Sequence, residues 1–165
     1  LNILFDYLIS IQKYKELIII IDHLNNETTG SSYLYAIKGE ILSEYKNNHK
    51  DAILAYRNAL SLEPDHSDLY NSLGIAYYKL GDLNNALHYF HKTFKMDNKH
   101  ATSIYNIACI LSLQGNVDKS LLYLEKAFKI KPHLIKSALN DLDLKETSRS
   151  SRFHKLVEVY QEKNK

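Results

Sequence analysis

Among the side chains able to do chemistry, His88 and His91 stand three apart, a spacing that on a helix puts two imidazoles side by side and lets them share an ion. A stable zinc site takes three or four ligands. No third ligand stands nearby in the chain, so no metal site is expected. The single cysteine, Cys109, excludes an internal disulfide and any multi-cysteine zinc or iron–sulfur centre. It sits in the apolar run Ala108-Cys109-Ile110 without the flanking residues of a catalytic thiol, and is expected to be a half-buried structural thiol. Asp141 and Asp143 form a carboxylate pair, but in a stretch that reads as a solvated loop, so neither is taken as a general acid. A glycine-rich phosphate loop, a Gly-x-Ser-x-Gly elbow and a His-Glu-x-x-His helix are all missing. The chain is therefore read as not an enzyme, with no catalytic residue, metal ligand or cofactor.

The elements that carry these side chains follow from composition. The 165 residues include only 5 Gly and 2 Pro, about a third of the ordinary share of these two breakers. A chain so poor in turn formers cannot make the corners of a β-sandwich or barrel, so it is expected to be all-helical. A hydrophobic share of 45% supports a real core. Lys and Arg number 21 against 19 Asp and Glu, a net charge of +2, which argues against nucleic acid as the partner because phosphate binding needs a basic face. The longest aliphatic run, residues 17–21, is far short of the ~20 residues that span a bilayer, so membrane insertion is not expected. Asp6 interrupts the one early apolar stretch, and no secretory signal is read. The chain starts at Leu1 and reads as a piece of something longer. Nothing in it addresses a compartment, and the cytoplasm is the default.

The strongest pattern is an internal repeat. Ala52, Ala86 and Ser120 are spaced by 34, as are Tyr56, Phe90 and Leu124, then Ala59, Thr93 and Ala127, then Pro64, Asn98 and Pro132. Gly81 and Gly115 repeat at the same interval, whereas Gly39 and Gly74 are 35 apart. One extra residue is expected in the polar stretch 46–50, because turns tolerate insertion better than helices. Within each unit Tyr70, Leu73, Gly74 and Tyr77 mark one amphipathic helix, and Ala86, Phe90, Thr93 and Phe94 mark a second after the break at Gly81-Asp82. A pair this short cannot bury both stripes alone, and stacking solves that. Small residues such as Gly74 and Ala86 suit a close helix–helix approach.

Tyr70-x-x-Leu73-Gly74-x-x-Tyr77 followed by Ala86-x-x-x-Phe90 resembles the tetratricopeptide-repeat signature. The resemblance covers residues 1–134 and implies an all-α fold, a right-handed α-solenoid of stacked antiparallel helix pairs with a C-terminal capping segment. Three units are assigned, 32–66, 67–100 and 101–134. A degenerate pair precedes them at 1–31, carried by Leu1, Leu4, Phe5, Leu8, Tyr14, Leu17, Ile21 and Leu24. The run 17–21 reads locally as a strand, and the repeat context overrides it. Residues 135–165 are expected to cap the array, with a last amphipathic helix through Phe153, Leu156, Val157 and Tyr160. The Asp141-Leu142-Asp143-Leu144 and Arg152-Phe153 pattern resembles segments that close such arrays.

Most of the 13 tyrosines read as packing filler. The exceptions lie off the packed stripe of each first helix, the side that in this family lines the concave groove. The resemblance thus implies a protein–protein interaction module of scaffold, adaptor or co-chaperone type, holding a peptide against Asp6, Tyr33, Glu40, Glu44, Asp68, Asn71, Tyr78, Lys79 and Tyr105. Four carboxylates against Lys79 point to a neutral or basic peptide. They also argue against the subclass of this family that clamps the acidic C-terminus of heat-shock chaperones. The alternatives are self-association through the Leu- and Ile-rich N-terminal edge, giving a homo-oligomer, and a regulatory region of a larger enzyme.

Overall fold

The computed structural model describes residues 2–27 and 30–162, with the side chains of Asn2 and Ile3 left aside. Leu1, counted above in the N-terminal pair, lies outside them. All secondary structure among the described residues is helical. No helix among them is long and apolar enough to cross a membrane. The chain divides into two compact units, Leu1–Ala86 and Leu87–Lys165.

The first unit contains α1 (Asn2–Ser10), α2 (Tyr14–Glu27), α3 (Ser32–Glu40), a π-helical turn (Ile41–Tyr45), α4 (His49–Leu62), α5 (Ser67–Lys79) and the start of α6 (Leu83–Met96). The aliphatic run 17–21 is helical. Leu17 and Ile21 are fully buried while Ile19 is 67% exposed. A strand would have put all three on one face, so burial of the i, i+4 pair shows the helical period prevailing over β-branched propensity. Phe5, Leu17, Ile21, Leu34 and Ile41 make one core cluster.

The repeat is visible in burial. Ala52, Ala86 and Ser120 have no accessible surface, and neither do Ala59, Thr93 and Ala127. The turns repeat as well. Asn47, Gly81 and Gly115 have φ of 50°, 79° and 74°, the left-handed conformation that releases a chain from a helix. The next residue each time caps the following helix: Asn48 accepts from Asp51 N, Asp82 from Asn85 N and Asn116 from Lys119 N. Gln12, at φ 58° between α1 and α2, makes the same turn.

The extra residue is not in the turn. Asn47 and Asn48 already keep the 34-residue register with Gly81 and Asp82, so the insertion lies upstream of them, after Gly39. It is absorbed inside the helix by the π turn, where Lys46 N donates to Ile41 O at 3.2 Å, five residues back. The expectation of an insertion within 46–50 is corrected on this point: a wider helical turn accommodates one residue while keeping its backbone hydrogen-bonded, and it spares the capped turn.

In the second unit α7 (Ala101–Leu113) and α8 (Val117–Ile130) form a pair, followed by α9 (Leu134–Ala138), a 3₁₀ turn (Leu142–Leu144), α10 (Lys145–Ser148) and α11 (Ser151–Glu162). Ser120 stands where the other pairs have Ala. Its buried hydroxyl donates to Ala108 O at 2.8 Å, so a small polar residue is tolerated with its hydrogen bond made. Phe153 and Val157 of α11 bury against the cluster containing Leu124 and Phe128, and Arg152 pairs with Asp118.

Candidate functional site

Ser31 caps α3 by accepting from Leu34 N, and the helix then presents Tyr33, Ile37 and Glu40 at i, i+4 and i+7, one face. The π turn continues that face with Ser43 and Glu44. Across from it α5 supplies Leu69, Ser72 and Ile75, and Tyr56 of α4 adds to the wall. Together they line a cleft of 360 Å³ within the first unit, inside the ~300–1,000 Å³ range of ligand pockets. Tyr33 is 51% exposed and Tyr56 5%. Glu40 and Glu44 are exposed and have no ion-pair or hydrogen-bond partner among the described residues. Their charge is felt by Tyr56, whose hydroxyl is pushed well above the ordinary phenol range, first by burial and then by Glu40 and Glu44. The cleft thus combines two carboxylates, one half-exposed tyrosine and a neutral phenol.

Gly39 sets the approach of α3 to α4. A Cβ there would come within 2.6 Å of the Tyr56 ring, so no side chain fits while Tyr56 holds its place. At the 35- and 34-residue equivalents of Glu40 stand Ile75 and Cys109. The first pair also has an acid at this place, Asp6, 34 residues before Glu40, but Ser10 where this pair has Glu44.

Three of the nine residues expected in the groove therefore meet in one cleft: Tyr33, Glu40 and Glu44. The others do not line it. Asp6 is exposed on α1 and Asp68 in the first turn of α5, where an acid also complements the helix dipole. Asn71 is half-buried, its Oδ1 buried without a donor among the described residues. Tyr78 is half-buried, and Lys79 is exposed in the last turn of α5. Tyr105 belongs to the second unit and is only 7% exposed. Its hydroxyl donates to Asp141 Oδ2 at 2.7 Å. The face of α7 that carries Tyr105, Cys109 and Ser112 is covered by the chain itself, since Thr147 N also donates to Ser112 Oγ at 3.3 Å and Leu144 is fully buried.

The solvated-loop reading of Asp141 and Asp143 is thereby corrected. Both are half-buried. Asp141 accepts from Tyr105, from the Cys109 thiol at 3.6 Å and from Asp143 N at 3.0 Å. Cys109 is buried rather than half-buried, and its thiol is pushed up by burial first and by Asp141 and Asp143 next. The donor atoms of Cys109, Asp141 and Asp143 lie within 4.8 Å of one another, a spacing that could hold an ion. Both carboxylate oxygens of Asp141 are already engaged, so the cluster reads as a hydrogen-bonded clasp. His88 is exposed, while His91 is half-buried with its ring edge-on to Tyr123 at 5.8 Å.

Sequence reasoning passed over Tyr56, Ser72 and the clasp. Tyr56 occupies the packing position of Phe90 and Leu124, so only its hydroxyl distinguishes it. Asp141 meets Tyr105 across 36 residues, a separation no local spacing reveals.

Tetratricopeptide-repeat family models match residues 45–81, 67–96 and 101–134, more than half of the chain. The chain belongs to the tetratricopeptide-repeat family. A zebrafish (Danio rerio) protein, outer dynein arm-docking complex subunit 4, is 28% identical over 100 residues; the match takes in 61% of this chain and 20% of that one. The chain thus spans about a fifth of that relative. The crystal structure of MamA shares the fold with a TM-score of 0.78 at 16% identity, covering 96% of this chain and 95% of MamA. YrrB, a tetratricopeptide protein with an unusual peptide-binding site, gives 0.72 at 16% identity over 96% of this chain and 79% of its own. The first such domain of Spaghetti (RPAP3), bound to the HSP90 peptide SRMEEVD, gives 0.60 at 12% identity over 79% and 93%. The fold class is the all-α solenoid of antiparallel helix pairs, and its members in general mediate protein–protein interaction.

Proposed function

We propose that the chain is a non-enzymatic adaptor or scaffold module that holds a neutral to basic peptide segment of a partner protein on the first-helix face of its first unit. The observation that carries this is the 360 Å³ cleft bearing Tyr33 together with the exposed Glu40 and Glu44. Support comes from the peptide-bound and peptide-binding neighbours of the same fold, and from a relative that is a subunit of a docking complex. The cleft's acids disfavour an acidic C-terminus of the SRMEEVD kind. Asp6, Asp68, Asn71, Tyr78 and Lys79 are assigned to flanking contacts. Selection of random peptides on the folded protein tests the reading: selected peptides should lose binding to Tyr33→Ala and to Glu40→Lys with Glu44→Lys, and peptides indifferent to all three substitutions would overturn it.

A second reading, self-association, rests on α1 and the turn after it. Leu4, Tyr7 and Ile11 are 46%, 58% and 43% exposed at i, i+3 and i+7. Tyr7 stands where the next pair has Ile41, which is 1% exposed. Sedimentation velocity across concentration decides it: a single slow species at every concentration would remove this reading.

A further inference from the structure

We propose that the cleft of the first unit is a pocket for one cationic side chain, an arginine or lysine of the partner segment, held between Glu40, just ahead of the π turn, and Glu44 within it. The inference rests on the reading of this cleft as the docking site and narrows it to a single anchoring residue.

Three observations carry it. Glu40 and Glu44 both line the cleft and stand four apart. Like charges at that spacing destabilise a helix, and no cation of the described chain relieves them. A guest cation would turn the repulsion into two attractions, and desolvation in a cleft strengthens both. The second observation is the wall: Tyr33, 51% exposed, puts an aromatic ring of the kind that attracts a guanidinium or ammonium beside the two acids, while burial and the two acids keep Tyr56 an uncharged phenol. The third is singularity. Asp6 stands at the place of Glu40 in the first pair and Ile75 and Cys109 in the later ones, but Ser10, 34 residues before Glu44, and Tyr78 and Lys79, 34 and 35 after it, are not acids, so the pair of carboxylates recurs in none of them. The π turn is found in the pair that has both carboxylates. Helical π turns recur at functional sites because they re-aim side chains without breaking the helix.

The test uses two neutral-backbone probes of nearly equal shape, N-acetyl-arginine N-methylamide and its citrulline counterpart, titrated against the ¹⁵N-labelled chain. Expected are amide shifts centred on residues 36–45 and on Tyr56 with the arginine probe, binding weaker by on the order of tenfold with citrulline, and the same loss for arginine in Glu40→Gln with Glu44→Gln. That variant should also melt no lower than the parent, because it removes a repulsion. Equal binding of the two probes in the cleft would overturn the cation pocket while leaving the cleft a docking site. Shifts confined to other surfaces would overturn the pocket, and if the selected peptides also ignored Tyr33→Ala, the docking site would fall with it.

Discussion

The Tyr105 hydroxyl donates a 2.7 Å hydrogen bond to Asp141 Oδ2, and with it the segment after α9 is fastened to the face of α7. The same oxygen takes the Cys109 thiol. Hydrogen bonds to a charged acceptor contribute about 1.5–3 kcal/mol. Tyr105→Phe is expected to lower stability by roughly that amount in urea unfolding, because it leaves part of a half-buried carboxylate unsatisfied. An unchanged midpoint would show that the clasp contributes nothing.

Cys109 should be inert in the folded chain. It is buried, and its thiol is pushed up by burial and by its two aspartate neighbours, while alkylation needs the thiolate. Iodoacetamide at mildly alkaline pH should label it only as the protein unfolds. Truncation ahead of Asp141 should speed labelling in chains that remain helical, and rapid labelling of the intact native chain would contradict the burial.

The small positions at the helix contacts should resist enlargement. Ala86 has no accessible surface, so Ala86→Leu should cost about 1–3 kcal/mol by overpacking. Gly39→Ala must displace the Tyr56 ring, which lies 2.6 Å from the added carbon, and should lose a comparable amount, recovered in part by Tyr56→Leu. Chemical denaturation of the three variants reads this directly, and unaltered stability of Ala86→Leu would mean that the packed face is misassigned.

How far the residues reveal the fold can be judged from these positions. The 34-residue matches of Ala52 with Ala86 and Ser120 mark one buried face, and all three are inaccessible. Such positions are legible because close helix contact constrains residue size at a fixed period. The π turn was not legible: Ile41 to Tyr45 keep ordinary helical composition, and an extra residue in a helix leaves no local mark except the shift from 34 to 35 between glycines. Glu40 and Glu44 could be read as groove residues from their place off the packed stripe. Tyr105, also off the packed stripe but in the second unit, could not be read as covered, because its cover arrives 36 residues later.

His91 carries a pH dependence. Its pKa lies below 6.5, first because of burial and then because of Lys95 and His88. The unfolded chain therefore binds a proton more readily than the folded one between the folded pKa and 6.5, so stability rises with pH across that window and the contribution is lost as pH falls through it. An NMR titration of the His91 ring should show a midpoint below 6.5, and His91→Gln should flatten this part of the stability profile. A midpoint above 6.5 would contradict the surroundings described.

The central claim is that Glu40 and Glu44 bind a cationic partner segment in the first unit's cleft. The most direct measurement is the binding isotherm of a peptide selected on the parent, repeated on Glu40→Lys with Glu44→Lys, with melting curves as control. Parent affinity is expected on the order of 1–100 μM, since a flexible peptide loses entropy on ordering, and it should weaken as salt rises. The double-lysine variant should bind more weakly by on the order of tenfold or more while melting like the parent. Equal affinity in the two proteins, or a preference of the parent for peptides with acidic C-termini, would contradict the account.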